Sequence, residues 1–395
     1  MSVYAIWPYF LILVVTCSLF SLRCFAFLDP APQESATRAT GLDGIRGFLA
    51  LSVMIDHAIV NYHWLKTGDW IVPPAKFYDQ LGTLAVAIFF MITGFLFWGK
   101  AVAARGRIAF VPLYINRLFR IAPVYLLAVL VMVLVVFART DFVLNQPVSE
   151  LLPALGRWSA LGLGGAPDFN GYSGGWIILA GVTWTLEWEW YFYFSLLLTA
   201  AFARIGPAWF PACALACFIG CAHFFSVEQF YFGALFASGM VVAGLRHSYA
   251  PGKRADAALS ALALLLLGVV LAGWSSPWGT PQVLMAGVFF YLICSGTTLF
   301  GLLRTRAAQR LGHISFSIYM LQGLVLTAAF ADGRVRDLAL GSVPIYWLLV
   351  AASVLALTLI SAVTYVLVEQ PGIRLGKRIG RRLAWKQAGG PPLAA

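Results

Sequence analysis

The stretch QLGTLAVAIFFMITGFLFWG, from Gln80 to Gly99, holds no charged residue, and Lys100 follows it directly. As a helix rising about 1.5 Å per residue, such a run extends about 30 Å, the thickness of a bilayer's hydrocarbon core. Working outward, comparable apolar runs recur at roughly 5–27, 44–65, 121–138, 184–203, 207–223, 229–245, 257–274, 281–303, 311–330 and 342–368. The chain has 395 residues, 61% hydrophobic and 11% charged, where a soluble domain carries about 25% charged residues. The expected fold is therefore all-α, a polytopic transmembrane bundle of ten core helices with one further N-terminal helix. Pro and Gly interrupt several runs, and partner helices can absorb such breaks.

Net charge is +11, and its placement decides what it means. The Lys and Arg residues cluster in short connections between apolar runs, a pattern of membrane topology rather than of a nucleic-acid groove. With the start of the second run, near Arg46, set in the cytoplasm, alternation puts twenty-one of the 27 basic residues on that side. The positive-inside rule then places the Lys100–Arg117 and Arg246–Arg254 loops in the cytoplasm and the long Thr140–Val182 loop outside. Three regions follow: an N-terminal apolar segment and linker (1–40), a membrane domain (41–372) and a basic cytoplasmic tail (373–395). The tail's Arg374, Lys377, Arg378, Arg381, Arg382 and Lys386 suit contact with anionic lipid head groups.

Residues 5–27 read either as a signal peptide, on Cys24-Phe25-Ala26, or as an uncleaved helix. No Lys or Arg precedes the run, which favours the helix. The six cysteines fall within or at the ends of apolar runs, so no disulfide framework is expected. Cys213, Cys217 and Cys221 share a face near His223, a pattern of helix packing before it is one of metal binding.

Ionisable groups inside apolar segments are costly and mark candidate sites. In Gly41-Leu42-Asp43-Gly44-Ile45-Arg46-Gly47, Arg46 precedes His57 by eleven residues. At 100° per residue both project from one face, about 16 Å apart along the axis, with Asp43 nearby on that projection. Arg117 and Arg120, at i and i+3, face one way at a helix mouth and suit bidentate phosphate contacts. Simple topological anchoring would also explain them. In Trp184-Thr185-Leu186-Glu187-Trp188-Glu189, the two glutamates lie about 200° apart, so only one can face a given cavity. Ser315, Ser317 and Tyr319 suit either a polar path or contacts between helices.

In this order these stretches resemble the membrane acyltransferase 3 family. The resemblance runs from Gly41 to Pro371. Its pieces are Leu42-Asp43-Gly44-Ile45-Arg46-Gly47 with His57, Phe89 to Phe95, Arg117-x-x-Arg120-Ile121-x-Pro123-x-Tyr125, Trp184 to Tyr193, Gly312 to Tyr319 and Glu369-Gln370-Pro371. The family's acidic position falls on Glu189, not Glu187. Thr93 and Thr185 stand where it usually has Ser, and Gln322 where it often has His.

The resemblance implies an inner-membrane O-acyltransferase that moves an acetyl or other short acyl group from acyl-CoA to a hydroxyl of a glycan, lipid or natural product. The expected site follows from joining the two lines of reasoning. Arg46, Arg117 and Arg120 would bind acyl-CoA phosphates, with Asp43 fixing Arg46. His57 would act as general base, and Glu189 would orient it or bind the acceptor. Tyr193, Ser315 and Tyr319 would line the acceptor path. Acyl-CoA is the co-substrate, and no metal, bound cofactor or nucleic acid is expected. A transporter or flippase of an anionic or sugar substrate would use buried Arg, His and Glu too, but would consume no thioester.

Overall fold

The computed structural model describes residues 2–29, 40–245, 253–274 and 278–387. Arg38 and Arg246, both counted in the charge asymmetry, lie outside them, as does most of the Arg246–Arg254 loop. Among the described residues there is no strand. The longer helices are α1 Trp7–Ser21, α2 Thr40–Thr67, α3 Lys76–Ala103, α4 Phe110–Arg139, α5 Val148–Trp158, α6 Trp184–Thr199, α7 Trp209–Phe225 and α8 Phe230–Leu245. They continue as α9 Lys253–Gly273, α10 Thr280–Cys294, α11 Arg306–His313, α12 Ser315–Ala329, α13 Gly333–Gly341, α14 Val343–Thr364 and α15 Gln370–Gln387.

The chain is a polytopic helical bundle, with fewer long apolar spans than the sequence runs suggested. α3, α4, the Arg254–Gly273 part of α9 and the continuous Val343–Leu383 helix are long and apolar enough to cross a bilayer. α11 and α12 make one further span only if taken together across a 68° bend. α1, α7, α8 and α10 are apolar but short, and α2 carries Asp43, Arg46, Asp56 and Lys66 along its 28 residues. Helices that hold a polar site dilute their own apolar signal.

α3 forms the centre, with 83% of its apolar window buried against 17% for α9. Phe90, Phe97 and Trp98 are fully enclosed there. α2 and α11 touch backbone to backbone. A Cβ added at Gly312 would lie 1.7 Å from the Asp43 carbonyl oxygen, so only glycine permits this approach. That contact sets Asp43 and Arg46 against the break between α11 and α12.

Two segments outside the apolar runs are well structured. The long loop from Thr140 to Val182 is folded. Asn170 Nδ2 donates to Thr140 Oγ1 and the Val143 carbonyl, both at 2.8 Å, and Trp158 Nε1 donates to the Pro167 carbonyl at 2.9 Å. Its end, Ile178 to Ala180, is buried. A Cβ at Gly323 of α12 would stand 2.3 Å from Ala180 N, so this segment re-enters the bundle. The basic C-terminal run is helical as far as Gln387 and packs along α4, with Gly372 and Gly376 against Phe119. Small residues at this spacing let helices approach closely.

The N-terminal segment is built into the bundle. Tyr9 and Ser52 hydroxyls share a 3.0 Å hydrogen bond, and Tyr78 donates to the Ala5 carbonyl at 2.6 Å. Arg310 Nε and Nη2 donate to Asp29 Oδ1 and Oδ2 at 2.7 and 2.9 Å, and its Nη1 donates to the Phe20 and Leu22 carbonyls, both at 2.8 Å.

Candidate active site

Two cavities meet inside the bundle. The deeper one, of about 180 Å³, lies among α2, α3, α4, α6 and α12. α6 starts at Trp184, and its second residue, Thr185, is pinned by donation to the Val182 carbonyl at 3.0 Å. One turn on, Glu189 faces the cavity, and one further turn brings Tyr193 beneath it. Tyr193 donates to Glu189 Oε2 at 2.7 Å, and Thr93 of α3 to Oε1 at 3.3 Å. Glu187 points elsewhere and accepts from Tyr191 at 2.6 Å, as 100° per residue requires. Tyr319 and Thr185 share a 2.9 Å hydroxyl contact on the cavity wall.

The second cavity is a vestibule of about 580 Å³ at the basic end of the bundle. Lys100, Arg374 and Lys377 line it with Asp43, Asn116 and His313. Arg374 and Lys377, read from sequence as lipid contacts, thus belong to this wall because α15 runs against α4. Arg46, Arg117 and Arg120 line both cavities. They are the junction between a cationic entrance and an aromatic interior. Arg46 Nη1 stands 3.9 Å from Asp43 Oδ1, while its buried Nε has no hydrogen-bond partner among the described residues. Ser315 Oγ, on the wall of the deeper cavity, is likewise buried and unpartnered among them. Buried donors without partners are expensive, so both are suited to a ligand. The guanidinium of Arg117 lies over the Phe97 ring at 4.7 Å, which holds it toward the junction.

Glu369 was missed as a site residue, though it opens the family-like Glu369-Gln370-Pro371 stretch. It is fully buried, accepts from Ser317 Oγ at 2.7 Å and stands 3.5 Å from Arg120 Nη2. A π-helical turn, Tyr365–Glu369, joins α14 to α15 at this point. Such turns occur often at functional sites because they re-aim a side chain. A carboxylate closing an apolar run was the available signal.

His57 does not line either cavity. Its Nδ1 pairs with Gln322 Oε1 at 3.2 Å, one turn beyond Tyr319 on α12. No hydrogen bond joins His57 to Glu189, whose oxygens are held by Tyr193 and Thr93. The orienting partner expected in Glu189 is therefore Gln322. Asp43, Arg46, Arg117, Arg120, Glu189, Tyr193, Ser315 and Tyr319 come together around the two cavities, and His57 stands beyond Tyr319 on the far side from the vestibule. Near the cysteines, His223 Nε2 pairs with Thr280 Oγ1 at 2.9 Å.

A polytopic helical bundle with Arg and Glu side chains gathered around paired internal cavities defines a membrane protein built around a polar site. Residues 40–366 match the Acyltransferase domain family, Acyl_transf_3, and the chain belongs to it. It is an O-acyltransferase. It is 26% identical over 389 residues to the protein named Acyltransferase MdmB of Streptomyces mycarofaciens, covering 87% of this chain and 93% of that one. It is 25% identical over 214 residues to Nodulation protein 10 of Rhizobium leguminosarum bv. viciae, covering 51% of this chain and 56% of that one. No solved structure matches.

Proposed function

We propose that this enzyme transfers an acetyl or similarly short acyl group from acyl-CoA to a hydroxyl of a cell-envelope or exported glycan. It does so in the inner membrane, among lipids, with the basic end and the C-terminus in the cytoplasm. The observation that carries this reading is that Arg46, Arg117 and Arg120 line both cavities. CoA has a polyanionic head and a long neutral arm ending in the thioester. A cationic vestibule opening through arginines into a small aromatic cavity matches that division of charge. Guanidinium forks suit the phosphates, and the unpartnered Ser315 Oγ, at the N-terminus of α12, suits the acyl oxygen.

In the chemical step, His57 Nε2 takes the proton of the acceptor hydroxyl as its oxygen attacks the thioester carbonyl carbon. The new C–O bond forms, the C–S bond breaks, and the CoA sulfur leaves as thiolate. Imidazolium returns the proton to it. Glu189 and Tyr193 position the acyl end. Tyr319 stands between His57 and the cavity, so acyl and hydroxyl groups meet at its edge.

Purified protein incubated with radiolabelled acetyl-CoA should bind it, and the Arg117→Ala/Arg120→Ala protein should not. Compositional analysis of envelope glycans from a deletion strain should show loss of an O-acyl group. Equal CoA affinity in the double variant and wild type would remove the donor assignment.

A further inference from the structure

The face of α2 that carries Arg46 and His57 continues to Trp64. Seven residues after His57, at 700° or −20°, Trp64 lies on the same face about 10 Å further along the axis. The chain then turns back. Gly68, at φ +84°, donates its N–H to the Trp64 carbonyl at 2.8 Å, and Asp69 N donates to Thr67 Oγ1 at 3.2 Å. This reversal brings Trp70 down over the same face, its ring centroid 6.0 Å from that of Trp64 and 6.2 Å from that of His57. From the re-entrant loop a hundred residues away in sequence, Trp176 closes on Trp70 at 6.3 Å. The loop holds it there: Gly181 N donates to the Trp176 carbonyl at 2.9 Å, and the Gly181 backbone backs its ring.

We propose that Trp64, Trp70 and Trp176 form the acceptor platform, a carbohydrate subsite that seats a pyranose ring with one hydroxyl at His57. The proposal rests on the acyl-CoA reading above. The three indoles are half-exposed. They meet edge to face, at 64° and 83°, so each contact covers a face of only one ring of the pair, where flat stacking would cover a face of both. An indole face is electron-rich and attracts the polarised C–H groups of a sugar ring. Exposed Asp69 precedes Trp70 and suits the ring's hydroxyls.

An interfacial belt also uses Trp, but belt residues project outward from the bundle, as the exposed Trp209 does. Trp70 and Trp176 instead come from separate loops and converge beside the imidazole. The platform also lies on the far side of Tyr319 from the vestibule, so donor and acceptor would approach the reacting atoms from opposite ends.

The probe is methyl β-D-glucopyranoside, with sorbitol as an acyclic polyol lacking a continuous C–H face. Saturation-transfer NMR on the full-length protein in detergent should show transfer to the pyranoside ring protons well above that to sorbitol. Trp70→Ala and Trp176→Ala should each weaken pyranoside binding about 2- to 10-fold, the worth of one aromatic contact. Trp70→Phe should restore most of it, and Trp209→Ala should leave it at the wild-type level. Wild-type protein that binds CoA but shows no pyranoside signal overturns the platform alone, whereas wild-type protein that fails to bind CoA overturns the donor reading. Pyranoside binding unchanged in Trp70→Ala and Trp176→Ala also overturns the platform.

Discussion

Gln322 holds His57 in one tautomer. Its Nε2 donates to the Tyr319 carbonyl at 2.9 Å, a partner that only accepts, so Oε1 must be the atom 3.2 Å from His57 Nδ1. Nδ1 therefore carries the proton, and the lone pair lies on Nε2. Gln322→Leu keeps a side chain of similar size and removes the hold. Its kcat should fall about 10-fold, the worth of one buried hydrogen bond, with donor affinity unchanged. Steady-state kinetics in proteoliposomes would show this, and an unaltered kcat would place the orientation of His57 elsewhere.

His57→Ala should insert normally, bind CoA and fail to acylate, with a loss on the order of 10²–10⁴ in rate. His63, six residues later near the end of α2, should tolerate the same change. Wild-type turnover by a correctly inserted His57→Ala protein would reduce His57 to a packing residue.

Arg120 has two tasks that a single substitution confuses. It faces the cavities, and it stands 3.5 Å from the fully buried Glu369. Arg120→Ala alone leaves that carboxylate without its counter-ion, and breaking a buried pair typically costs about 3–5 kcal/mol. The Arg120→Ala/Glu369→Gln protein should recover most of the lost thermal stability while remaining about 10- to 100-fold weaker for CoA. Calorimetric binding on both proteins separates the effects. Recovery of CoA affinity in the double variant would make Arg120 purely structural.

The parts of the site that periodicity governs were legible. Arg46 and His57 share a face because eleven residues make just over three turns, and 200° separates Glu189 from Glu187. Contacts between distant segments were not. Nothing local to Gln322 says that it meets His57, 265 residues away. Glu369 is aimed by a π-helical turn whose register differs from the 3.6-residue repeat. That Arg374 and Lys377 also line the vestibule was not legible, because charge alone does not reveal the glycine stripe that lays α15 along α4. The re-entry of Leu179 and Ala180 likewise depends on a single glycine, Gly323, on another helix.

The sides of the membrane follow from charge and can be checked directly. In a cysteine-free background, a cysteine at Ser173 should react with an impermeant maleimide added outside, and one at Ala103 only after permeabilisation. Ser173 is exposed in the folded loop, so failure to label would not arise from burial. Reaction of Ser173→Cys only from the cytoplasm would invert the arrangement and with it the side of the donor.

The Asp29–Arg310 clamp makes a pH-dependent prediction. Arg310 is almost wholly buried and spends its donors on Asp29, Phe20 and Leu22, so it ties the segment after α1 to α11. The hydrogen bonds from Arg310 hold the Asp29 carboxyl below its ordinary range, more than burial raises it. A carboxyl depressed in the folded state contributes stability above its unfolded value, near 3.9, and loses it as pH falls through the folded value. Asp29→Asn should therefore melt below wild type at neutral pH, and the gap should close as the pH drops under about 4. Asp29 is itself 40% exposed, so solvent screening keeps the direct charge contribution small. Much of the loss would come from Arg310, left buried beside a neutral partner. The half-buried Cys17 of α1 offers a second readout: as the only cysteine, it should label faster with maleimide in Asp29→Asn than in the Asp29 parent. Equal melting at neutral pH and equal labelling of Cys17 would show that α1 is held by its apolar packing alone.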